Sequence, residues 1–337
     1  MLIEKLKNPY VGNWEIQFVS LLLVLFNYTI LSNSLLYLDS ISYSILDKNI
    51  LQNLSFKLKQ GEILSLLGEN GSGKTTILRL IAALLDPSGG AILFDNEPVL
   101  GPKDKLVAGH NSIKLIHQDY KLAHNCTVWE NIHALLPPIK EAEKYKKIKK
   151  LLIDFNLTQI EGKKVEQLSG GEKQRLAIAR AMTNKPKLLL MDEPFSNLDH
   201  HNRNEITHLL FKVIRKEKIS VIFVTHDYQD ALKYSDRIAI LKKGKIVQHG
   251  SPVDCYKTPK NKYAAGILGP VSVYQNLYIR PESIQIDPKG NHYGEVISCL
   301  FAGNYYQVEL LTPSNEKLLT FEKQIVKVGE KVNFNII

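Results

Sequence analysis

Cysteine is scarce in this chain. Its 337 residues include 3 cysteines, Cys126, Cys255 and Cys299, which lie far apart without a C-x-x-C pair or any other metal-ligand spacing. This distribution excludes a disulfide framework and a cysteine-based zinc site. It also indicates a reducing compartment.

Internal repeats and low-complexity segments are absent as well, which excludes solenoid and fibrous architectures. The hydrophobic fraction is 44%, an ordinary value for a folded globular protein. A chain of this length can bury one large core and a smaller second one. We therefore expect one main domain and one small domain.

Acidic residues are outnumbered by basic ones, so that the formal net charge is +9. Such an excess suits either a nucleic acid or an anionic membrane surface. Part of it is local, because residues 140–150 combine a cluster of lysines with Glu141 and Glu143 on a predicted helix. This pattern is typical of a solvated helix face. The remaining excess is compatible with a position beside an anionic membrane leaflet and does not require a nucleic acid.

The most informative stretch is residues 68–76, which read GENGSGKTT and match the phosphate-binding pattern G-x-x-x-x-G-K-[ST] in full. An apolar run at 63–67 predicts a buried strand before it, and residues 75–85 have helical spacing after it. A P-loop requires this strand and helix context, which disfavours a chance glycine-rich turn. The predicted nucleotide-binding residues are Gly68, Glu69, Asn70, Gly71, Ser72, Gly73, Lys74, Thr75 and Thr76.

The chemistry of this stretch follows from its residue types. Glycines let successive backbone N–H groups turn towards phosphate oxygens, and the helix adds the positive end of its dipole. Lys74 is expected to reach the β- and γ-phosphates and Thr75 to ligate Mg²⁺. An upstream aromatic, Tyr43, is predicted in a turn between two strands, where it either stacks on the nucleotide base or simply packs.

Two carboxylates follow a second apolar run at 188–191. In combination with the P-loop, Asp192 is expected to hold Mg²⁺ and Glu193 to polarise the attacking water. His226 follows a predicted strand at 221–225 and is a candidate for contact with the γ-phosphate. Gln118 ends another short strand, and we predict that it senses the γ-phosphate beside Mg²⁺ and the water. The predicted metal ligands are thus Thr75, Gln118 and Asp192.

The segment 168–172, LSGGE, begins a predicted helix and carries a family resemblance. The chain resembles an ATP-binding cassette (ABC) ATPase subunit, in which residues 168–172 would be the signature and residues 196–199, SNLD, the D-loop. The other motifs that carry the resemblance are the P-loop, Gln118, Asp192 with Glu193, and His226. The resemblance covers residues 35 to 269. It implies that two such subunits pack head to tail, each ATP lying between one P-loop and the other subunit's signature. The signature residues implied to act in trans are Ser169, Gly170, Gly171 and Glu172, and Asp199 is the implied D-loop residue.

The resemblance also implies the architecture. We expect an α/β P-loop NTPase cassette over 35–269, with a helical insert at about 119–168 predicted from helical patterns that Pro137 and Pro138 separate. Residues 278–282, YIRPE, and later segments such as 294–296 resemble the small β-barrel called TOBE. We therefore predict a small all-β, OB-like domain over 270–337, with a generic β module as the alternative.

Importers of the spermidine, ferric iron, sulfate, molybdate and sugar type carry this combination. The implied function is ATP hydrolysis that drives import, with ATP and Mg²⁺ as cofactors. The implied partners are membrane permease subunits, a second ATPase subunit, most simply an identical copy, and an extracytoplasmic solute-binding protein. The implied location is peripheral, on the cytoplasmic face of the cell membrane. We expect no nucleic acid.

Two alternatives remain open. Nucleic-acid-acting relatives place coiled coils or zinc modules between P-loop and signature, whereas about 95 residues without heptads or a cysteine cluster separate Lys74 from Ser169 here. An exporter or translation-factor ATPase is the second alternative, although the latter usually has two cassettes. The segment after Gln118 resembles the surface on which transporter ATPases receive a coupling helix from the membrane subunits. In this segment Ala123 and His124 stand where importers often have an aromatic residue and a proline.

Residues 1–34 form an apolar extension, in which 16–38 carry no charge and 18–26 are apolar. A signal peptide lacks a clear small-residue cleavage site here. A membrane helix is diluted by polar residues such as Gln17 and Asn27 and is only marginally long enough. We predict that this extension has no role in the ATPase core.

Overall fold

Two units make up the part of the chain that the structure, a computed structural model, describes: residues 34–46, 48–105, 108–116, 121–195 and 200–337. The first unit extends to His226 and includes residues 234–236 and 241–245, and the second comprises residues 227–233, 237–240 and 246–337. The predicted extension lies outside the described residues except for Ser34. The domain boundaries at 34/35 and 269/270 stay predictions.

A parallel sheet forms the centre of the first unit. Its strands have the order β6-β7-β8-β3, and every neighbouring pair is parallel. The strands are β3 (Ile63–Gly68), β6 (Ile113–Ile116), β7 (Leu188–Asp192) and β8 (Ser220–Val224). β3 and β8 are buried at every position, as expected for apolar strands covered on both faces. Because the strands are parallel, the residues that follow each of them meet at one edge.

An antiparallel sheet of order β2-β1-β4-β5 completes the strands of this unit. Its strands are β1 (Leu36–Ile45), β2 (Lys48–Leu58), β4 (Gly89–Phe94) and β5 (Glu97–Pro98). Along β2, Leu51, Leu54, Phe56 and Leu58 are buried while intervening residues are more exposed. This alternation is the pattern of a strand with one face packed on the core.

The helices of the first unit are α1 (Lys74–Ile81), α2 (Val128–His133), α3 (Glu141–Asp154), α4 (Gly170–Ala181) and α5 (His200–Glu217). α1 is shorter than the predicted 75–85, because Ala83 adopts a left-handed backbone with φ of 58°. α2 and α3 confirm that helices lie between the P-loop and the signature. The lysine-rich α3 buries only Ile148 and Leu152, which confirms its solvated face.

The second unit contains most of α6 (Tyr228–Tyr234), β9 (Arg237–Lys242) and β10 (Lys245–Gly250), and the short helices α7 (Pro252–Lys257) and α8 (Lys262–Ile267). β9 and β10 are neighbours in the sheet, and residues 243 and 244 connect them.

The C-terminal part of the second unit is all β. A hairpin of β11 (Ser272–Tyr274) and β12 (Leu277–Ile279) precedes an antiparallel sheet of order β13-β17-β14-β15-β16. The sheet strands are β13 (Ile284–Ile286), β14 (His292–Phe301), β15 (Tyr306–Leu311), β16 (Lys317–Glu322) and β17 (Lys331–Ile336). They enclose an apolar core that includes Val296, Val308, Leu310 and Phe334. This nearly barrel-like fold confirms the predicted small all-β domain.

Across the ranges that the structure describes, no helix has both the length and the apolar content that crossing a membrane requires.

Candidate nucleotide-binding site

Three glycines shape the loop between β3 and α1. Gly68, Gly71 and Gly73 have φ of 151°, 77° and 105°, and Gly73 is the N-terminal cap of α1. A Cβ on Gly68 would lie 2.4 Å from the Leu241 carbonyl oxygen, and one on Gly73 would lie 2.5 Å from a Leu51 methyl carbon. The loop therefore has this conformation only with glycine at positions 68 and 73, and the positive φ at Gly71 also favours glycine.

Lys74, the first residue of α1, is 6% exposed. Its Nζ donates hydrogen bonds to the backbone oxygens of Gly68 at 2.7 Å and Glu69 at 2.9 Å. Burial lowers the pKa of the Lys74 ammonium, and the nearby carboxylates of Glu193, Asp192 and Glu69 oppose that shift. A buried ammonium with two of its three donors used is suited to an anionic ligand.

Thr75 and Asp192 lie side by side, one at the start of α1 and the other at the end of β7. Thr75 Oγ1 donates a hydrogen bond to Asp192 Oδ1 at 3.2 Å. Burial raises the pKa of Asp192; the Thr75 hydrogen bond opposes this and the Glu193 charge adds to it. A hydroxyl and a carboxylate are hard oxygen donors of the kind that Mg²⁺ prefers.

Glu193 and His226 follow neighbouring parallel strands and meet at the edge of the sheet. Glu193 has a left-handed backbone with φ of 49°, and its N–H donates to the Val224 oxygen at 3.2 Å. Its Oε1 lies 2.5 Å from His226 Nε2, with side-chain exposures of 24% for Glu193 and 48% for His226. The strained backbone is thus held by β8, and it presents the carboxylate to the imidazole.

A pocket of about 580 Å³ opens beside these groups. Its lining includes Asn70, Gly71, Gly73, Lys74, Thr75, Thr76 and Glu193 from the predicted site. It also includes five residues that sequence reasoning missed: Lys48, Asn49, Ile50, Gln52 and Lys243. Nothing in the local sequence pattern around Lys243 indicates that its turn meets the P-loop.

The residues present suit a nucleotide with its phosphates. Ser72 Oγ is buried and has no hydrogen-bond partner among the described residues. It lies in the loop whose glycines leave room for close approach, next to the partly satisfied ammonium of Lys74. Buried polar atoms without partners are rare in proteins and commonly indicate a ligand or water.

Tyr43 lies within β1 opposite Leu51 rather than in the connecting turn. Its side chain is half-buried, and among the described residues it is not part of the pocket lining. Its stacking on a nucleotide base stays a prediction.

The signature residues form the N-terminus of α4 and do not line this pocket within the described part of the chain. Ser169 Oγ accepts from the Glu172 N–H at 3.3 Å, and Glu172 Oε2 accepts from the Ser169 N–H at 2.8 Å. Burial would raise the pKa of Glu172, but these hydrogen bonds and the charges of Lys163 and Arg175 produce a net lowering. This capping box leaves Ser169 and Gly170 exposed at a helix end.

A further residue, Gln174, joins α4 to the carboxylate segment. It is fully buried, and its Nε2 donates to the backbone oxygen of Pro194, directly after Glu193. The helical spacing of α4 indicates a buried face, but not this partner. Gln118 and Asp199, both predicted functional residues, lie outside the described residues.

Comparison with known proteins places these features in context. Residues 51–196 match the family model described as ABC transporter. The spermidine/putrescine import ATP-binding protein PotA of Clostridium acetobutylicum is 33% identical over 337 residues, covering 90% of this chain and 94% of that protein. PotA of Vibrio cholerae serotype O1 is 39% identical over 240 residues, covering 71% of this chain and 63% of that protein.

Solved structures of ATP-binding cassettes are also similar to this chain. CbiO1 from Clostridium perfringens, part of the ABC transporter complex CbiONQ, matches with a TM-score of 0.61 and 30% identity, covering 66% of this chain and 90% of CbiO1. The ATP-binding cassette MJ0796, in a dimeric post-hydrolysis state bound to ADP and Pi, matches with a TM-score of 0.57 and 30% identity, covering 64% of this chain and 98% of that chain. These matches confirm the predicted cassette fold.

Proposed function

Because this chain belongs to the ATP-binding cassette transporter family, as an importer-type subunit that binds and hydrolyses ATP, we propose that it drives polyamine uptake through separate membrane subunits. The predicted family and activity are confirmed by relatives whose similarity spans nearly the whole chain. The polyamine substrate rests on those relatives, which are spermidine/putrescine import proteins. The observation that carries the ATPase chemistry is the pocket in which Lys74, Thr75 and Glu193 meet.

In this proposal the P-loop binds the phosphates of ATP. Lys74 supplies a desolvated positive charge, and residues 68–76 supply backbone donors. Thr75 and Asp192 hold Mg²⁺, which is supported by their oxygen donors and the 3.2 Å separation of Thr75 Oγ1 and Asp192 Oδ1. Mg²⁺, when bound, neutralises charge on the transferred phosphoryl group.

Glu193 accepts a proton from the attacking water, and His226 holds the Glu193 carboxylate in place. The support is the 2.5 Å separation between His226 Nε2 and Glu193 Oε1. Gln118, which follows β6 in the sequence, is assigned as the sensor of Mg²⁺ and the γ-phosphate on its family resemblance. The roles of Glu193, His226 and Gln118 can each be tested by substituting that residue alone.

The second half of the site comes from another ATPase subunit, most simply an identical copy. Ser169, Gly170, Gly171 and Glu172 approach the partner's nucleotide, and Asp199 is assigned to the D-loop on its family resemblance alone. Two observations support this: the capping box exposes Ser169 and Gly170 at the N-terminus of α4, and the related cassette MJ0796 is dimeric. Loss of the γ-phosphate would then loosen contacts made by both subunits.

The chain works at the cytoplasmic face of the cell membrane, bound to permease subunits and served by an extracytoplasmic solute-binding protein. The importer names of its relatives support this arrangement, as does CbiO1, which belongs to a transporter complex. The net charge of +9 is compatible with a position near an anionic leaflet.

The test is uptake of labelled spermidine and putrescine by cells that carry the tagged chain in place of their own copy. Glu193→Gln should abolish uptake, whereas Glu205→Gln, on the exposed side of α5, should not. Purification of the tagged chain from membranes should recover a multi-span membrane protein. If a membrane protein is recovered but Glu193→Gln does not reduce polyamine uptake, the proposed substrate is contradicted. Recovery of nucleic acid in place of a membrane protein would contradict the proposed role in transport.

A further inference from the structure

The nucleotide pocket contains a lysine that no phosphate-binding motif supplies. Lys243 is in the two-residue turn between β9 and β10, and it lines the pocket together with the P-loop. Lys243 and Gly244 have φ of 47° and 75°, both left-handed, as in a type I′ hairpin turn. Asparagine is the favoured residue at the first position of this turn, and lysine has no conformational advantage there.

The turn is fixed in place by the elements around it. The Gly244 N–H donates to the Ser72 oxygen at 3.1 Å, and the Gln52 N–H donates to the Gly244 oxygen at 3.0 Å. A Cβ on Gly244 would lie 2.3 Å from the Ile50 oxygen, so a side chain there is excluded. Lys243 is therefore held between the P-loop and β2, and little backbone freedom is left to lose when its ammonium binds a ligand.

The charges of the pocket point to a polyanion. Its described lining contains three lysines, Lys48, Lys74 and Lys243, and one carboxylate, Glu193. No ion pair joins Lys243 to a carboxylate among the residues that the structure describes. Clustered ammonium groups repel one another unless an anion lies between them, and lysine is a common phosphate binder that acts as a point charge.

We propose that Lys243 is a second phosphate-binding lysine, which contacts the polyphosphate chain of the nucleotide from the side opposite the start of α1. This inference rests on the nucleotide pocket proposed above. Lys48 is the useful contrast. It also lines the pocket, but it begins β2 close to the highly exposed Leu46.

The test is the affinity of Lys243→Asn for ATP, ADP, AMP and adenosine, measured by calorimetry at low and high salt. Asparagine removes the charge and suits the turn, so the melting temperature should not fall. We expect the dissociation constant for ATP to rise about fivefold at low salt, the scale of one partly exposed ion pair. The effect should shrink from ATP to AMP, vanish for adenosine and weaken at high salt.

Lys245→Asn is the matched control, because Lys245 is exposed two residues along and does not line the pocket. It should bind ATP within twofold of the unaltered chain, and Lys48→Asn should have an intermediate effect. Equal ATP affinity of Lys243→Asn and Lys245→Asn would overturn the inference. So would an equal loss for adenosine and ATP, or a loss accompanied by a lower melting temperature. Lys74→Ala separates the two proposals: unchanged ATP affinity in that variant would contradict the pocket itself.

Discussion

Lys74 in the first unit and Arg280 in the second are equally buried, each 6% exposed, yet their surroundings differ. Lys74 has backbone partners for two of its three donors and faces a pocket. Arg280 has every nitrogen engaged: Nη1 donates to the Gly269 and Pro270 oxygens at 3.1 and 2.9 Å, and Nε and Nη2 donate to the Tyr256 oxygen at 3.3 Å.

The guanidinium of Arg280 also lies 4.1 Å from the Tyr256 ring centroid, a cation–π contact. The Tyr256 hydroxyl in turn donates to Glu282 Oε1 at 2.7 Å. Burial lowers the pKa of both Lys74 and Arg280. Burial of a cation therefore does not identify a functional site. What distinguishes Lys74 is that a donor remains available beside an open pocket, whereas the donors of Arg280 are used to hold the chain together.

The largest expected effect concerns the pocket. Glu193→Gln should bind ATP normally but lose steady-state hydrolysis by roughly 10²–10⁴-fold, the usual contribution of a general base. Phosphate release measured on the purified chain, and on membranes that contain its partners, would show this. Glu205→Gln should retain full activity. Sustained hydrolysis by the Glu193 variant would remove that residue from the base role.

Replacing each buried cation by methionine tests the comparison itself. Lys74→Met should weaken ATP binding roughly 10- to 100-fold, because charge-assisted hydrogen bonds contribute about 1.5–3 kcal/mol. It should reduce the stability of the nucleotide-free chain less than Arg280→Met does, because Lys74 donates two backbone hydrogen bonds and Arg280 donates four. Arg280→Met should leave ATP affinity unchanged but lower the free energy of unfolding by about 3 kcal/mol, since it removes the charged donor of the Tyr256, Gly269 and Pro270 carbonyls. Calorimetry and denaturant unfolding measure the two quantities. The reverse outcome would show that Lys74 is the structural cation.

Two helix-capping serines offer a smaller, matched contrast. Ser169 in the first unit and Ser251 in the second each accept a hydrogen bond from the N–H three residues on, at 3.3 and 3.1 Å. Alanine at either position should cost about 1 kcal/mol of stability, the usual value for a lost cap. Only Ser169→Ala should also lower ATP hydrolysis. Equal hydrolysis by both variants would count against a signature role for Ser169.

As the pH rises into the alkaline range, the contribution of Cys255 in the second unit to stability should fall, while that of Lys74 in the first unit should rise. Burial raises the pKa of Cys255 to about 11, so the unfolded state releases that proton first and stability falls as pH rises from about 9 to about 11. Lys74 has a lowered pKa, so its contribution to stability rises with pH up to its unfolded value. Between pH 8 and 10, Cys255→Ala should remove about 1 kcal/mol of the loss measured by denaturant unfolding. An unchanged pH slope would contradict the cysteine assignment.

Motifs predicted the part of the site that depends on local residue types. The P-loop, Asp192, Glu193 and His226 are adjacent to strands whose order in a parallel sheet makes them converge. Lys243 and the bond from Gln174 to Pro194 were not predictable, because each depends on which distant backbone atom packs against it. The sequence predicts Tyr43 in a turn, whereas Tyr43 lies within β1 and the turn begins three residues later. The reason is that the residue pattern of β1 does not indicate where the strand ends.

The sequence pattern also predicts a later end for α1 than the structure has. The apolar spacing of residues 75–85 continues past Ile81, but the left-handed backbone of Ala83 ends α1 earlier. Periodicity reports which face is buried, whereas the end of a helix depends on turn conformations that apolar spacing does not encode.

The central claim is that ATP closes two copies of this chain head to tail around the pocket described above. Light scattering on Glu193→Gln measures it most directly, with ATP and Mg²⁺, with ADP, and without nucleotide. The account predicts twice the monomer mass in ATP alone, and loss of that dimer when Ser169→Arg is added to the same chain. A species that binds ATP fully but stays monomeric, or a dimer insensitive to Ser169→Arg, would contradict it.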